Sequence, residues 1–176
     1  TRKADVAAMG VALRENRDRV VLMAASTPSY AHGVIDPIAE LAPLAQSAGV
    51  RFHVDACIGG WVLPFADRAE EPWDFAVEGV TSISADLHKY AYTPKGVSML
   101  LHRTPQLRKP QFFASADWPG YTMLNATTQS TKSGGPLAAA FAVVKHLGVQ
   151  GYRNLTQRTF EGVDQLVSGL AEIEHI

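Results

Sequence analysis

Only one cysteine, Cys57, occurs in the 176 residues of the chain. A lone thiol closes no internal disulfide, which excludes a disulfide-stapled scaffold and fits a reducing compartment. Basic residues are not in excess: 16 Lys and Arg stand against 17 Asp and Glu, for a formal net charge of -1. Such a balance offers no footprint for a phosphate backbone, so nucleic acid is not an expected partner. No apolar run approaches the roughly 20 residues that a membrane helix requires. An apolar leader is missing too, because Thr1-Arg2-Lys3-Ala4-Asp5 runs into a polar, alanine-rich segment. Neither Gly-x-Gly-x-x-Gly nor a P-loop occurs, which argues against a generic nucleotide-binding domain. No internal repeat or low-complexity tract interrupts the chain. A cytoplasmic globular chain is what these absences leave. The missing initiator Met, and an end at Glu174-His175-Ile176 just after an amphipathic run, read as a piece of a longer protein.

What is present has ordinary globular composition, 47% hydrophobic and 19% charged, enough for one core. Val6, Met9 and Leu13 recur at helical spacing within residues 4–17, with Asp5 early and Arg14 and Arg17 late, as the helix dipole prefers. The apolar run Arg19–Ala25 reads as a buried strand. A loop rich in Ser, Thr, Pro and Gly follows from Ser26 to Val34. Asp36-Pro37 then reads as a helix cap followed by a proline at the first helical position. Ile38, Leu41, Leu44 and Ala48 line one face of that helix, Gly49 ends it, and Pro43 is expected to kink or shorten it. Further strands are expected at Arg51–Asp55, Val80–Ala85 and Val97–Leu101. Two helices finish the chain, one from Pro136 to Gly148 and one over about 151–172. Strands alternating with helices predict an α/β fold, with a mainly parallel sheet covered on both faces.

Ligands of open α/β sheets bind beyond the carboxyl ends of the strands. Here one strand ends in Asp55, and another runs through Asp86-Leu87 into His88 and Lys89. An acid and a lysine at neighbouring strand ends suit a pyridoxal phosphate site. The amine attacks the cofactor aldehyde, and the carboxylate keeps the pyridine nitrogen protonated so that the ring accepts electrons. Taken singly these residues say less, since a strand-end Asp is more often a cap and a Lys is usually solvated surface. His53, Asp55, Cys57 and His88 match no standard zinc spacing, and no metal is expected. Cys57 has no obvious activating partner and reads as a small packed residue. Trp61, Phe65, Trp73 and Phe75 read as core or subunit packing. Tyr90 and Tyr92 read as packing, with substrate contact the alternative.

Three segments in order sharpen this reading. They are His53-Val54-Asp55-Ala56-Cys57-Ile58-Gly59-Gly60, Val80-Thr81-Ser82-Ile83-Ser84-Ala85-Asp86-Leu87-His88-Lys89-Tyr90, and Thr93-Pro94-Lys95-Gly96. Together they resemble the group II pyridoxal phosphate (PLP)-dependent decarboxylase superfamily, of fold type I, and within it the sphingosine-1-phosphate lyase branch. Ser29-Tyr30-Ala31-His32-Gly33-Val34-Ile35-Asp36-Pro37-Ile38 resembles the loop of that branch before the Asp strand. The resemblance spans about residues 20–150.

The resemblance implies a role for each matching residue. Lys89 corresponds to the Schiff-base lysine and Asp55 to the partner of the pyridine nitrogen. Ala56 falls where the family packs a small residue against the ring, and His88 where a histidine lies at the cofactor phosphate. Lys95 matches a second lysine implicated in catalysis in the lyase branch. Ser26, Thr27 and His32 are expected to line the same pocket. Thr131-Lys132-Ser133-Gly134-Gly135 replaces the Gly-Ser-Arg-like turn of the lyases and suits a broader bacterial relative. By resemblance this turn, with Thr131, approaches a cofactor phosphate across a dimer. Residues 1–147 then form part of the PLP-binding large domain, and residues 148–176 a helix leading towards a C-terminal small domain. The family's small phosphate loop and ring-stacking histidine would lie upstream of Thr1.

The function implied is that of a homodimeric PLP-dependent carbon–carbon lyase acting on a small amine. The reaction is retro-aldol cleavage of a phosphorylated amino alcohol. The alternatives are an amino-acid decarboxylase, or a catalytically incomplete piece serving as a binding or dimerisation module.

Overall fold

The alternation of Arg51-Phe52-His53-Val54-Asp55 sets the architecture. Phe52 and Val54 are fully buried, whereas His53 and Asp55 point to the other side of the strand. The structure, a computed structural model, describes residues 2–66, 68, 71–127, 129 and 131–174. Strands β1 (Leu22–Ser26), β2 (Arg51–Asp55), β3 (Val80–Asp86) and β4 (Ser98–His102) form one sheet in that order. The first three are parallel, and β4 runs antiparallel to β3. The mainly parallel sheet expected from the sequence is therefore present. A second, two-stranded antiparallel sheet joins β5 (Phe113–Ser115) to β6 (Met123–Asn125).

Helices α1 (Val6–Glu15) and α2 (Ile38–Ser47) pack on one face of the main sheet. Their Leu13, Ile38, Leu41, Ala42 and Ala45 form one core with Met23, Phe52, Val54, Val80 and Ile83. Asp5 caps α1 by accepting from the Ala8 N–H at 2.9 Å. Beyond α3 (Pro105–Arg108), the long α4 (Gly135–Ala171) closes the chain. It docks beside β3 through a smaller cluster in which Ala140 and Tyr152 meet Leu87 and Ala91. The Tyr152 hydroxyl donates to the Ala91 carbonyl at 3.0 Å.

Four expectations need correction. The sheet is covered on one face only among the described residues, and on the other Leu22 and Leu100 stand about half exposed. Asp36 does not cap α2: its carboxylate accepts from the backbone N–H groups of Ala4 and Ser26, both at 2.8 Å, and Pro37 takes the cap position. It ties the segment before α1 to the end of β1. Pro43 neither shortens nor interrupts α2. The two terminal helices abut as one element, broken at Gly148, where φ is 58° and ψ -174°. That left-handed φ suits glycine, so the boundary read from the sequence survives as a break in the helix.

A bulge between β2 and β3 adjusts the register that matters for chemistry. Phe52 pairs with Val80 but His53 with Ser82, so Thr81 is the extra residue. Its hydroxyl fills the gap, accepting from the Phe52 N–H at 3.0 Å and donating to the Phe52 carbonyl at 2.8 Å. From there His53 lies beside Ser82, and Asp55 beside Ser84.

Candidate active site

The carboxyl ends of β2 and β3 carry the polar residues. Asp55 ends β2, half-buried on the open face. Its Oδ1 accepts from the backbone N–H of Cys57 and from the Ser84 hydroxyl, each at 3.0 Å. No N–H or O–H donor among the described residues reaches Oδ2. Burial pulls the Asp55 carboxyl upward. The Cys57 backbone and thiol, the Ser84 hydroxyl and the His53 charge outweigh it and hold the acid below its ordinary range.

Backbone bonds carry the β2–β3 ladder past the strand ends. The Ala56 N–H donates to the Ser84 carbonyl at 3.0 Å, and the Asp86 N–H to the Cys57 carbonyl at 3.2 Å. Cys57 is thereby set between the two strand ends. Its thiol lies beside Lys89 as well as Asp55, and burial pushes it up from its ordinary pKa. Gly59 and Gly60 let this turn fold tightly. A Cβ on Gly60 would sit 2.7 Å from the Ala85 Cβ, and one on Gly59 would strike the Thr27 carbonyl.

Lys89 stands one turn beyond β3, with Nζ 2.9 Å from Asp86 Oδ2. The other carboxylate oxygen of Asp86 accepts from the Ser98 hydroxyl on β4. His88 Nδ1 is 2.9 Å from the Val97 carbonyl, so it carries the proton, and Nε2 lies 3.7 Å from Asp86 Oδ2. The Val97 carbonyl also accepts from the Leu87 N–H at 3.2 Å. Burial alone would lower the Lys89 pKa, but Cys57 and Asp86 outweigh it and raise the ammonium above its ordinary value. The ion pair with Asp86 thus favours the ammonium form of Lys89.

The structure thus brings Asp55, His88 and Lys89 to one end of the sheet. Ala56 lies elsewhere than expected, fully buried in the core on the far side of β2. The residue turned towards Lys89 is Cys57, because alternation along the strand puts it on the side of Asp55. Thr27 is fully buried and donates its N–H to the Asp55 carbonyl at 2.8 Å, while Ser26 pairs with Asp55 in the ladder. His32 instead faces Arg2, 3.2 Å away, on an exposed loop. Lys95 and Thr131 are both exposed. Their loops run side by side, since a Cβ on Gly96 would lie 3.6 Å from Pro136 at the start of α4.

Sequence reasoning passed over Asp86, Ser82 and Ser84. Their spacing by two along β3 was the available signal, for it places all three on the face of Asp55.

An ionised carboxylate with one oxygen bound to the protein and the other open can hold a protonated pyridine nitrogen. A lysine a strand away can carry an aldehyde. These residues fit pyridoxal phosphate, and the similarities of the chain agree. The pyridoxal-dependent decarboxylase conserved domain matches residues 6–175. Sphingosine-1-phosphate lyase of Arabidopsis thaliana is 43% identical over 164 residues, 92% of this chain and 30% of that protein. Sphingosine-1-phosphate lyase 1 of Rattus norvegicus is 42% identical over 176 residues, 98% of this chain and 30% of that protein. The solved sphingosine-1-phosphate lyase of Burkholderia pseudomallei superposes with a TM-score of 0.86 at 35% identity, covering 99% of this chain and 40% of that one. The chain therefore spans about a third of the length of the relatives it matches, and it belongs to the pyridoxal-dependent decarboxylase family.

Proposed function

We propose that the protein containing this chain is a PLP-dependent carbon–carbon lyase, similar to sphingosine-1-phosphate lyase, that cleaves a phosphorylated amino alcohol. The observation that carries this reading is the placement of Asp55 and Lys89 at the ends of adjacent strands, tied together where the Asp86 N–H donates to the Cys57 carbonyl. The order of the three lyase-like segments along the chain supports it, as do relatives above 40% identity.

Lys89 would hold the cofactor through Nζ. Asp86, 2.9 Å away, would orient the amine and hold it as the ammonium until the cofactor arrives. Asp55 Oδ2 would keep the proton on the pyridine nitrogen, its oxygen free because Oδ1 is already engaged. When bound, the cofactor supplies an electron sink for the pair left as the substrate bond breaks. Cys57, rather than Ala56, is the small residue facing that space. His88 would lie at the cofactor phosphate, its ring oriented by the bond from Nδ1 to the Val97 carbonyl. Lys95 would serve as the second catalytic lysine, moving a proton on the substrate hydroxyl, and Thr131 would bind phosphate across a homodimer. Phe113, Tyr121 and Leu124, each more than half exposed on or beside the small sheet, suit burial in such a dimer. Residues 1–147 are assigned to the large domain, and residues 148–176 to the helix leading towards the small one. No helix among the described residues is long and apolar enough to cross a membrane, and a cytoplasmic catalytic region is proposed.

The test is borohydride reduction of the full-length parent with PLP, followed by peptide mapping and product analysis. A fixed label on Lys89 that vanishes in Lys89→Ala, with release of an aldehyde and a phosphorylated amine, supports the reading. Carbon dioxide release would establish the decarboxylase instead. No label on Lys89 would leave a binding or dimerisation module.

A further inference from the structure

The open face of the sheet carries a line of hydrogen bonds that the reaction above does not use. His53 lies between two serines of β3, with Nδ1 2.9 Å from Ser82 Oγ and Nε2 3.2 Å from Ser84 Oγ. Ser84 in turn donates to Asp55 Oδ1 at 3.0 Å. A serine has one proton to give. Because Ser84 gives its proton to Asp55, it can only accept from His53, so Nε2 must carry hydrogen. In the neutral ring Nδ1 is then the acceptor, and Ser82 supplies the proton. Every donor is matched when the line runs one way: Ser82 to His53, His53 to Ser84, Ser84 to Asp55.

Resting on the proposed cofactor site, we infer that His53 is a positioning residue for Asp55. Acting through Ser84, it fixes the rotation of the carboxylate so that Oδ1 faces the sheet and Oδ2 is left for the pyridine nitrogen. The bulge at Thr81 supports this, since it sets the pairing that puts Ser82 and Ser84 on either side of the ring. The charge around His53 agrees. Burial favours the neutral ring, Asp55 opposes this, and His102 on the neighbouring β4 adds to it. Arg51, on the same strand and face, is the remaining charged neighbour.

The experiment uses the full-length parent, first without added cofactor. NMR of labelled histidine should find His53 as the Nε2–H tautomer at neutral pH, and an Nδ1–H tautomer would overturn the inference. Carboxyl NMR should show Asp55 titrating at higher pH in Ser84→Ala than in the parent, with Ser84→Thr restoring it. An unchanged midpoint would also overturn the inference. With PLP added, Ser84→Ala and His53→Phe should each weaken cofactor retention by about tenfold, the size expected for a lost hydrogen bond to a charge. The pH at which the bound cofactor changes absorbance should move with them. Combining the two substitutions should add little, because both break one line. Retention and absorbance equal to the parent in both variants would sink the idea. Failure of the unsubstituted parent to take PLP on Lys89 would instead count against the cofactor reading, and the two cofactor-free measurements would still decide the role of His53.

Discussion

Lys89 Nζ and Asp86 Oδ2 lie 2.9 Å apart, so the proposed cofactor lysine is paired with an acid from its own turn. The pair favours the ammonium, and Lys89 titrates above its ordinary value as a result. Asp86→Asn should therefore lower the Lys89 pKa and let PLP attach at lower pH. Attachment rates followed by absorbance across pH would show the profile moving towards acid. An unmoved profile would mean that Asp86 does not hold the lysine charged.

The same pair gives a pH window for stability. Asp86 titrates below its ordinary value: burial raises it, but Ser98, Lys89 and His88 outweigh burial. Its contribution is present above the ordinary aspartate pKa and is lost as pH falls through the lowered value. The contribution of Lys89 runs the opposite way, fully present below the ordinary lysine pKa and lost as pH rises through the raised one. Asp86→Asn should flatten the pH dependence of melting at both ends, as calorimetry would show.

Cys57 offers a chemical probe. Burial raises its thiol above the ordinary value, so alkylation should be slow at neutral pH and quicken as pH rises. Bound PLP should protect it, because the thiol lies beside both Lys89 and Asp55. Mass spectrometry after iodoacetamide, with and without cofactor, measures this. Equal labelling in the two samples would place Cys57 outside the site.

Gly60 is constrained by Ala85. The added Cβ of Gly60→Ala would meet the Ala85 Cβ at 2.7 Å, a clash expected to cost about 1–3 kcal/mol. Ala85→Gly in the same chain should restore part of the loss. Urea unfolding of the single and double variants reads the compensation, and PLP retention should follow it, since the turn carries Cys57.

The core yields the simplest magnitude. Phe52 is fully buried between the sheet and α2, and Phe52→Ala should destabilise by about 3–5 kcal/mol. Denaturant titration checks this. A smaller loss would mean that the cavity collapses.

Much of the sheet was legible because its strands are short apolar runs with period-two alternation, as in Phe52 and Val54 set against His53 and Asp55. Lys89 and Asp55 stood out because topology puts strand ends together. The misplacement of Ala56 was avoidable: the same alternation that puts Asp55 on the open face puts Ala56 in the core and Cys57 back on the face. Asp36 was harder to read, since a carboxylate before a helix looks like a cap whether or not it bonds elsewhere. The β5–β6 pair was illegible for a different reason. Three-residue strands with exposed Phe113 and Leu124 carry no buried face for a pattern to mark. Tyr152 needs both of its partners in view, a packed ring beside Phe65 and a hydroxyl on the Ala91 carbonyl.

The antiparallel return of β4 has a mechanical consequence. The loop bearing Lys89 leaves at the end of β3 and comes back alongside it, closed at its neck where one carbonyl, that of Val97, receives both the Leu87 N–H and the His88 ring. A lysine on a one-ended tether could swing as its strand frays. Mounted on a closed loop, its backbone is held at the neck by that shared carbonyl and its two donors. The place from which the amine reaches is therefore fixed in part by Val97, a residue that supplies only its backbone.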